Sequence, residues 1–193
     1  IVGYEELGEM AGYLRVSLSN VTVSAGTALM IEKDTNVTLT DSIISGEPGN
    51  VVTIRSTGAG NGRLTINNST MEYANVKLAL PFTMNSNSTV DRSDISFTYG
   101  ELFGVINNSF IKPNSYFQSY GSIGHSYISG NTSSYNRGTI NGSYVNLASN
   151  LYNYGELTSS YATRVYTNSN NSVIGSVVDY ISGNGSATIL DSD

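Results

Sequence analysis

Four glycines recur at a constant interval and constrain the fold of this chain more than any other feature. They are Gly104, Gly121, Gly138 and Gly155, and each lies seventeen positions after the one before it. The segments that begin at these glycines align without gaps as GVINNSFI, GSIGHSYI, GTINGSYV and GELTSSYA, and an approximate fifth copy, NSVIGSVV, begins at Asn171. A short repeat at a fixed period is typical of architectures built from stacked units.

Each copy carries the same arrangement of apolar and polar positions. When the glycine is position 1, positions 3 and 8 are apolar, position 6 is always serine and position 7 is aromatic in four of five copies. The five-residue interval between positions 3 and 8 would place them on opposite faces of a straight strand. A bend at position 5 removes this conflict, and Asn and Gly, which are frequent there, tolerate the left-handed conformation that a corner requires. Position 5 is occupied by Asn108, His125, Gly142, Ser159 and Gly175. We therefore expect positions 3, 6 and 8 to point inward and positions 4 and 7 to point outward.

Weaker copies of the motif precede the regular ones. Residues 37–44 (VTLTDSII), 64–71 (LTINNSTM) and 88–95 (STVDRSDI) keep the apolar-x-x-Ser-x-apolar arrangement, with Asp41, Asn68 and Arg92 at the corner position. Residues 16–23 (VSLSNVTV) keep only the apolar positions. We expect these copies to continue the same columns of side chains. The turn-rich segments 46–50 (GEPGN) and 56–62 (STGAGNG) are then expected to leave the stack as loops.

The pattern predicts an all-β, single-domain parallel β-helix, or β-solenoid. The segments are rich in Ile, Val, Tyr and Thr, which favour strands, and they lack helical periodicity. We expect coils of about 16–17 residues in the C-terminal half and longer, loop-interrupted coils in the N-terminal half. About ten coils stacked at roughly 4.8 Å give a rod on the order of 50 Å long. Residues 14–193 form the solenoid in this prediction, and residues 1–13 form an arm or cap. A β-sandwich is the alternative, but it gives no reason for a constant period.

The motif also carries a resemblance to known proteins. Its I-x-N-S-x-I form, seen in residues 106–111 and 66–71, resembles the right-handed parallel β-helix proteins, the pectate-lyase-like and adhesin-like solenoids. The resemblance covers roughly residues 14–190 and implies an architecture with right-handed crossovers. It does not imply one activity, since such solenoids include enzymes, adhesive modules and structural proteins.

Composition and sequons indicate where this protein is located and which binding partners are disfavoured. Only 12% of residues are charged and the net charge is −6, which disfavours binding to nucleic acid. No apolar run approaches the roughly 20 residues that a membrane span needs. The chain begins at Ile1, which either a processed secretory precursor or a trimmed chain would explain. The number of Asn-x-Ser/Thr sequons leads us to expect a secreted or cell-surface protein. Asn-x-Ser/Thr sequons predict N-glycan sites. The candidates are Asn67, Asn107 and Asn141, which occupy outward positions, followed by Asn20, Asn36, Asn87, Asn131, Asn170 and Asn184, whereas Asn68 is expected in a corner ladder.

Candidate catalytic groups are few. His125 is the only histidine, and there is no cysteine, so neither a multi-histidine nor a cysteine-based metal site is expected. The serines at position 6 recur in every copy, which indicates a structural ladder. Asp91 and Asp94 are the acidic pair that a polysaccharide-cleaving β-helix would use. We favour a solvated charged corner for them and expect no catalytic residue, metal or cofactor.

The outward aromatic residues suggest an interaction surface. Phe110, Tyr127, Tyr144 and Tyr161 should lie above one another, a set that we call the aromatic stripe. Such a stripe can stack on itself, pack against another subunit or bind carbohydrate. Within residues 1–13, Ile1, Val2 and Tyr4 are candidates for an assembly arm.

These features together predict a non-enzymatic structural subunit of an extracellular filament, sheath or surface appendage. It would form a homopolymer that assembles head-to-tail through solenoid ends and the aromatic stripe. The alternatives are a carbohydrate-binding or adhesive module or fibre, and a polysaccharide-cleaving enzyme.

Overall fold

The described part of the chain folds into a parallel β-solenoid of ten coils. The computed structural model describes residues 14–168, 171–184 and 188–190. These residues form 25 strands, and every ladder between them is parallel. The one antiparallel pairing among the described residues is an isolated bridge between Glu47 and Asn50 in a loop. The predicted single-domain solenoid is therefore confirmed, and the β-sandwich alternative is wrong because it requires antiparallel hairpins.

Each complete coil has three faces, and its second face is the simplest. This face is a ten-stranded sheet with one strand from every coil. Its strands are β2 (Thr22–Ser24), β5 (Ile43–Ser45), β8 (Thr70–Glu72), β11 (Thr89–Asp91), β13 (Val105–Asn107), β15 (Ser122–Gly124), β18 (Thr139–Asn141), β21 (Glu156–Thr158), β23 (Ser172–Ile174) and β25 (Thr188–Leu190).

The first and third faces belong to one fifteen-stranded sheet. The first face contains β1 (Leu14–Ser19), β4 (Thr35–Thr40), β7 (Arg63–Asn67), β10 (Phe82–Met84), β17 (Ser134–Asn136) and β20 (Leu151–Asn153). The third face contains β3 (Ala28–Ile31), β6 (Val52–Ser56), β9 (Ala74–Lys77), β16 (Tyr127–Gly130) and β19 (Tyr144–Leu147). Four long strands continue from the third face into the first face of the next coil and join the two: β12 (Asp94–Leu102), β14 (Phe110–Ser119), β22 (Tyr161–Asn168) and β24 (Val177–Asn184).

Coil length changes along the chain as the repeat predicts. Thr22 pairs with Ile43 and Ile43 pairs with Thr70, so the first two steps take twenty-one and twenty-seven positions. Val105 pairs with Ser122, a step of seventeen positions, and every later step on this face takes seventeen or sixteen. The extra length lies in the expected loops, since the GEPGN segment separates β5 from β6 and most of STGAGNG separates β6 from β7.

The predicted corners have left-handed backbone conformations. In the regular copies, φ is 50° at Asn108, 47° at His125 and Ser159, 56° at Gly142 and 54° at Gly175. In the upstream copies, φ is 51° at Asp41 and 46° at both Asn68 and Arg92. Position 5 therefore turns the chain in every copy. This turn allows positions 3 and 8 to point inward together, although they are five residues apart.

Among the upstream copies, residues 37–44 and 64–71 nevertheless turn at a different corner from the regular ones, which corrects the expected alignment, whereas residues 88–95 turn at the same corner as the regular copies. On the second face, Ile106 pairs with Val90, Val90 with Met71, and Met71 with Ile44. Met71 and Ile44 were expected at position 8 but lie in the column of position 3. The reason is that the motif specifies a left-handed turn between two inward side chains and does not specify which two faces the turn joins.

Buried serines form a hydrogen-bonded column at each of these two corners. Ser42, Ser69 and Ser88 line the corner between the first and second faces. The corner between the second and third faces holds Ser93, Ser109, Ser126, Ser143, Ser160 and Ser176, and successive members are joined by backbone N–H to Oγ bonds of 3.1 Å. Each hydroxyl in this second column also donates to the carbonyl two residues before it, as Ser109 Oγ does to Asn107 at 2.6 Å.

The repeated glycines lie at the corner between the first and second faces in coils five to eight. A Cβ on Gly121 would lie 2.0 Å from the carbonyl oxygen of Gly104, and a Cβ on Gly138 would lie 2.0 Å from that of Gly121. The constant spacing of these glycines is therefore a requirement of close backbone approach. Between the corners, inward Ile, Val, Leu and Phe side chains form one continuous core.

A polar column inside the first face was not expected. Asn136 and Asn153 are completely buried, and Asn136 Nδ2 donates to Asn153 Oδ1 at 2.7 Å. Asn153 in turn donates to the Ser172 carbonyl. The repeated Tyr-Asn pair at residues 135–136 and 152–153 is the sequence signal for this column.

Candidate functional site

The aromatic stripe is a continuous stack on the third face. Ring centroids are 5.1 Å apart for Phe110–Tyr127 and for Tyr127–Tyr144, and 4.5 Å apart for Tyr144–Tyr161. The ring planes differ by 15° or less along the stripe. Tyr127 is 37% exposed and Tyr144 is 40% exposed. Because the parallel register places one ring over the next, each inner ring uses both faces against its neighbours and presents its edge to solvent.

This geometry limits what the stripe can bind. Stacking of a sugar on an aromatic residue needs an open ring face, and the stripe offers mainly edges. A second protein surface can pack against a row of ring edges and phenol groups, which are common at interfaces. The stripe ends in a hydrogen bond from Tyr161 Oη to Asp179, and this bond is the main cause that raises the pKa of Tyr161 to about 12.

The acidic pair, Asp91 and Asp94, is separated by a corner at which Arg92 is bonded to the neighbouring acidic side chains. Asp91 accepts a bond from Arg92 at 2.8 Å through one carboxylate oxygen and from Asn108 Nδ2 at 2.8 Å through the other. Arg92 also forms an ion pair with Glu72 at 2.6 Å. Asp94 lies exposed on the far side of this corner, at the start of β12. Asp91 is therefore held in a structural network, and the structure does not bring the two carboxylates together around a shared ligand.

The other candidate groups are built into the corners. Each serine of the second column donates its proton to a carbonyl and accepts a backbone N–H, so these hydroxyls are engaged within the stack. His125 occupies a left-handed corner, and its ring lies beside Gly142 of the next coil. Among the described residues, no three His, Asp or Glu side chains converge as a metal site.

The sequon candidates divide into two structural groups. The serines of the Asn67, Asn107 and Asn141 sequons are buried in the serine columns and donate to the carbonyl of their own sequon asparagine. Asn87 and Asn131 lie exposed in loops, and Asn20 is also exposed while Asn36 is half-buried. Asn170 and the side chain of Asn184 lie outside the described residues, and glycosylation at every candidate stays a prediction.

The proposed assembly arm cannot be placed on the rod. Ile1, Val2 and Tyr4 belong to residues 1–13, which lie outside the described residues. Their role in assembly stays a prediction.

A groove on the first face was missed by sequence reasoning. It has a volume of about 610 Å³ and spans the sixth and seventh coils. We call it the first-face groove, and its main lining residues are Tyr116, Gln118, Thr132, Ser133, Tyr135 and Arg137. The tyrosines were visible in the sequence, but their arrangement depends on strand register in a part of the coil where the motif does not repeat.

The fold and surfaces define this chain as a parallel β-solenoid with aromatic rows on its exterior. Comparison with protein-family models, with curated proteins and with solved structures gives no match. In the part of the chain that is described, no helix has the length and apolar character to cross a membrane.

Proposed function

We propose that this chain is a non-enzymatic structural subunit of an extracellular filament, sheath or surface appendage. The observation that carries the proposal is the aromatic stripe, a row of four stacked rings whose edges remain exposed. A row with the spacing of the coils suits side-by-side packing of rods, because the same contact repeats along the axis.

The last described coil has exposed apolar surface that suits the head-to-tail contact in this proposal. Ile181 pairs with Val165, which is completely buried, yet Ile181 itself is 38% exposed. A further coil supplied by a second copy would cover it, since stacked coils bury each other's core residues. The expected product is a homopolymer outside the cell, with N-glycans at the exposed sequons.

Electron microscopy of the purified chain at neutral pH tests this proposal. We expect filaments, and Ile181→Asp should shorten them because it places a charge in the proposed end contact. The double variant Tyr127→Ser and Tyr144→Ser should abolish lateral association and leave filament length unchanged. Thr65→Ser, which keeps a small hydroxyl side chain on the outer side of the first face, is the matched control. Dispersed single rods over a range of protein concentrations would refute the proposal.

A carbohydrate-binding module is the second candidate function. The stacked rings make the aromatic stripe a poor platform for sugar, so this candidate depends on a different surface, the first-face groove.

A further inference from the structure

The first-face groove exists because one aromatic row changes column. Tyr99 and Tyr116 pair in one column of the first face, with ring centroids 5.8 Å apart. Tyr135 and Tyr152 pair in a second column, which Gln118 occupies one coil earlier. By the same register, Ser133 is the residue that follows Tyr116 in the first column. A small serine at this point leaves a hollow beside the two aromatic rows.

The change of column also alters how the rings meet. Tyr99–Tyr116 and Tyr135–Tyr152 are stacked pairs with interplanar angles of 14° and 18°. Tyr116 and Tyr135 instead meet at 89°, with centroids 6.4 Å apart. An edge-to-face pair covers the face of only one of its rings. One ring face of the Tyr116–Tyr135 pair is therefore left uncovered by the other ring.

Polar groups surround these rings. Arg137 is exposed, and its guanidinium lies 5.9 Å from the ring centre of Tyr120 and 5.2 Å from that of Tyr154. Within residues 14–168, 171–184 and 188–190, ion pairs form only at Arg92, so the charge of Arg137 is not neutralised by an acidic side chain there. The two rings hold the guanidinium beside the groove, where two of its N–H groups can donate hydrogen bonds to two oxygens of one oxyanion.

The remaining lining groups suit hydroxyl-rich ligands. Gln118 Oε1 accepts the Tyr120 hydroxyl at 2.7 Å, and its amide nitrogen donates to no described residue. Binding sites of about 300–1,000 Å³ with aromatic walls and a few polar groups commonly take small ligands. The first-face groove has this size and composition.

We propose that the first-face groove binds an acidic glycan, with a sugar ring packed on Tyr116 or Tyr135 and a carboxylate or sulfate held by Arg137. The net charge of −6 argues that binding is local and not a general attraction of anions. This inference goes beyond the structural role, since the aromatic stripe lies on the third face and leaves the groove free when rods pack through it.

Isothermal titration calorimetry with three probes tests the proposal. The probes are a hyaluronan tetrasaccharide, which carries carboxylates, a sulfated heparin disaccharide, and neutral cellotetraose. We expect one or both acidic probes to bind and cellotetraose to bind at least about tenfold more weakly, since a charge-assisted hydrogen bond is lost. Binding of only one acidic probe would identify the source of the anion. Equal binding of cellotetraose, or no binding of any probe at millimolar concentration, would overturn the assignment.

Variants of the lining residues test whether the acidic probes bind in the first-face groove. Arg137→Gln should weaken binding of the acidic probes about tenfold or more. Ser133→Tyr should abolish it by filling the hollow, and Tyr127→Ala on the aromatic stripe should leave it unchanged. Unfolding midpoints of the Arg137→Gln and Ser133→Tyr proteins report whether the fold is intact. Unchanged affinity in both variants would overturn the proposal, whereas loss of filaments with binding retained would refute only the structural role.

Discussion

Replacing Gly138 with alanine would place a methyl group where the backbone of the preceding coil already lies. The new Cβ would be 2.0 Å from the carbonyl oxygen of Gly121 and 2.7 Å from that of Tyr120. An ordinary contact needs about 3.4 Å or more, so the two coils would have to separate locally by more than 1 Å. Gly138 does not have a positive φ, so the expected effect is steric and does not come from backbone strain.

The magnitude follows from the hydrogen bonds that fix the coil spacing at this point. Thr139 N–H donates to the Gly121 carbonyl at 3.0 Å, and Gly138 N–H donates to the Ser119 carbonyl at 3.1 Å. Each bond that is broken without replacement costs about 1–3 kcal/mol. Loss of both predicts a decrease of about 2–6 kcal/mol in the free energy of unfolding, a large part of the roughly 5–15 kcal/mol typical of a domain.

Urea unfolding followed by far-ultraviolet circular dichroism measures this decrease. Gly58→Ala is the matched control, because a Cβ on Gly58 meets nothing within 4 Å and its φ is not left-handed. We expect the control to stay within about 0.5 kcal/mol of the wild type. If Gly138→Ala were as stable as the control, the coils could not be in contact at this column, and the steric explanation of the glycine repeat would be wrong.

Three further predictions concern the corners and the end of the aromatic stripe. Ser143→Ala should cost about 1–3 kcal/mol in the same urea series, because it leaves the backbone N–H of Ser126 without a partner and removes one of the two hydrogen bonds to the Asn141 carbonyl, which keeps the N–H of His125. A loss below about 0.5 kcal/mol would show that the serine column is not stabilising. Gly175→Ala should cost about 1–2 kcal/mol through its φ of 54° alone, since the nearest side-chain atom is 3.9 Å from the new Cβ, and Gly175→Asn should cost less. The pKa of Tyr161 is raised from 10.0 to about 12, so the contribution of its bond to Asp179 is complete below pH 10 and is lost as the pH rises through about 12. Carbon-13 NMR of the tyrosine rings should show Asp179→Asn moving this titration toward pH 10, and an unchanged titration would contradict the assigned cause.

The repeat was sufficient to predict the architecture because its constraints are local. A five-residue interval between inward side chains requires a corner, and Ser159 and Arg92 take the left-handed conformation even though their side chains do not favour it. The same local character explains the error upstream. Residues 37–44 and 64–71 match the motif, but the choice of corner depends on the lengths of the neighbouring loops and on pairing with other coils.

The surface was less predictable than the core. The aromatic stripe followed from position 7 of the motif, and its stacked geometry agrees with that position. The first-face groove lies outside the repeated motif, where Tyr135 comes nineteen positions after Tyr116 instead of the usual seventeen. Spacing alone cannot show whether such a difference creates a hollow or is absorbed by a bulge, because that depends on the register of β14 with β17.

The contrast between the two aromatic surfaces suggests how a solenoid acquires a binding site. Where the period is kept, as between Tyr127 and Tyr144, each ring stacks on its neighbour and the row becomes a structural element with exposed edges. Where the period slips by two positions, as between Tyr116 and Tyr135, the rings meet edge-to-face and a small residue opens space beside them. The regular coils supply rigidity, and the irregular step supplies a concave surface whose polar groups are not all paired. Specific recognition on this rod is therefore expected at the break in the aromatic row, and lateral association is expected where the row is continuous.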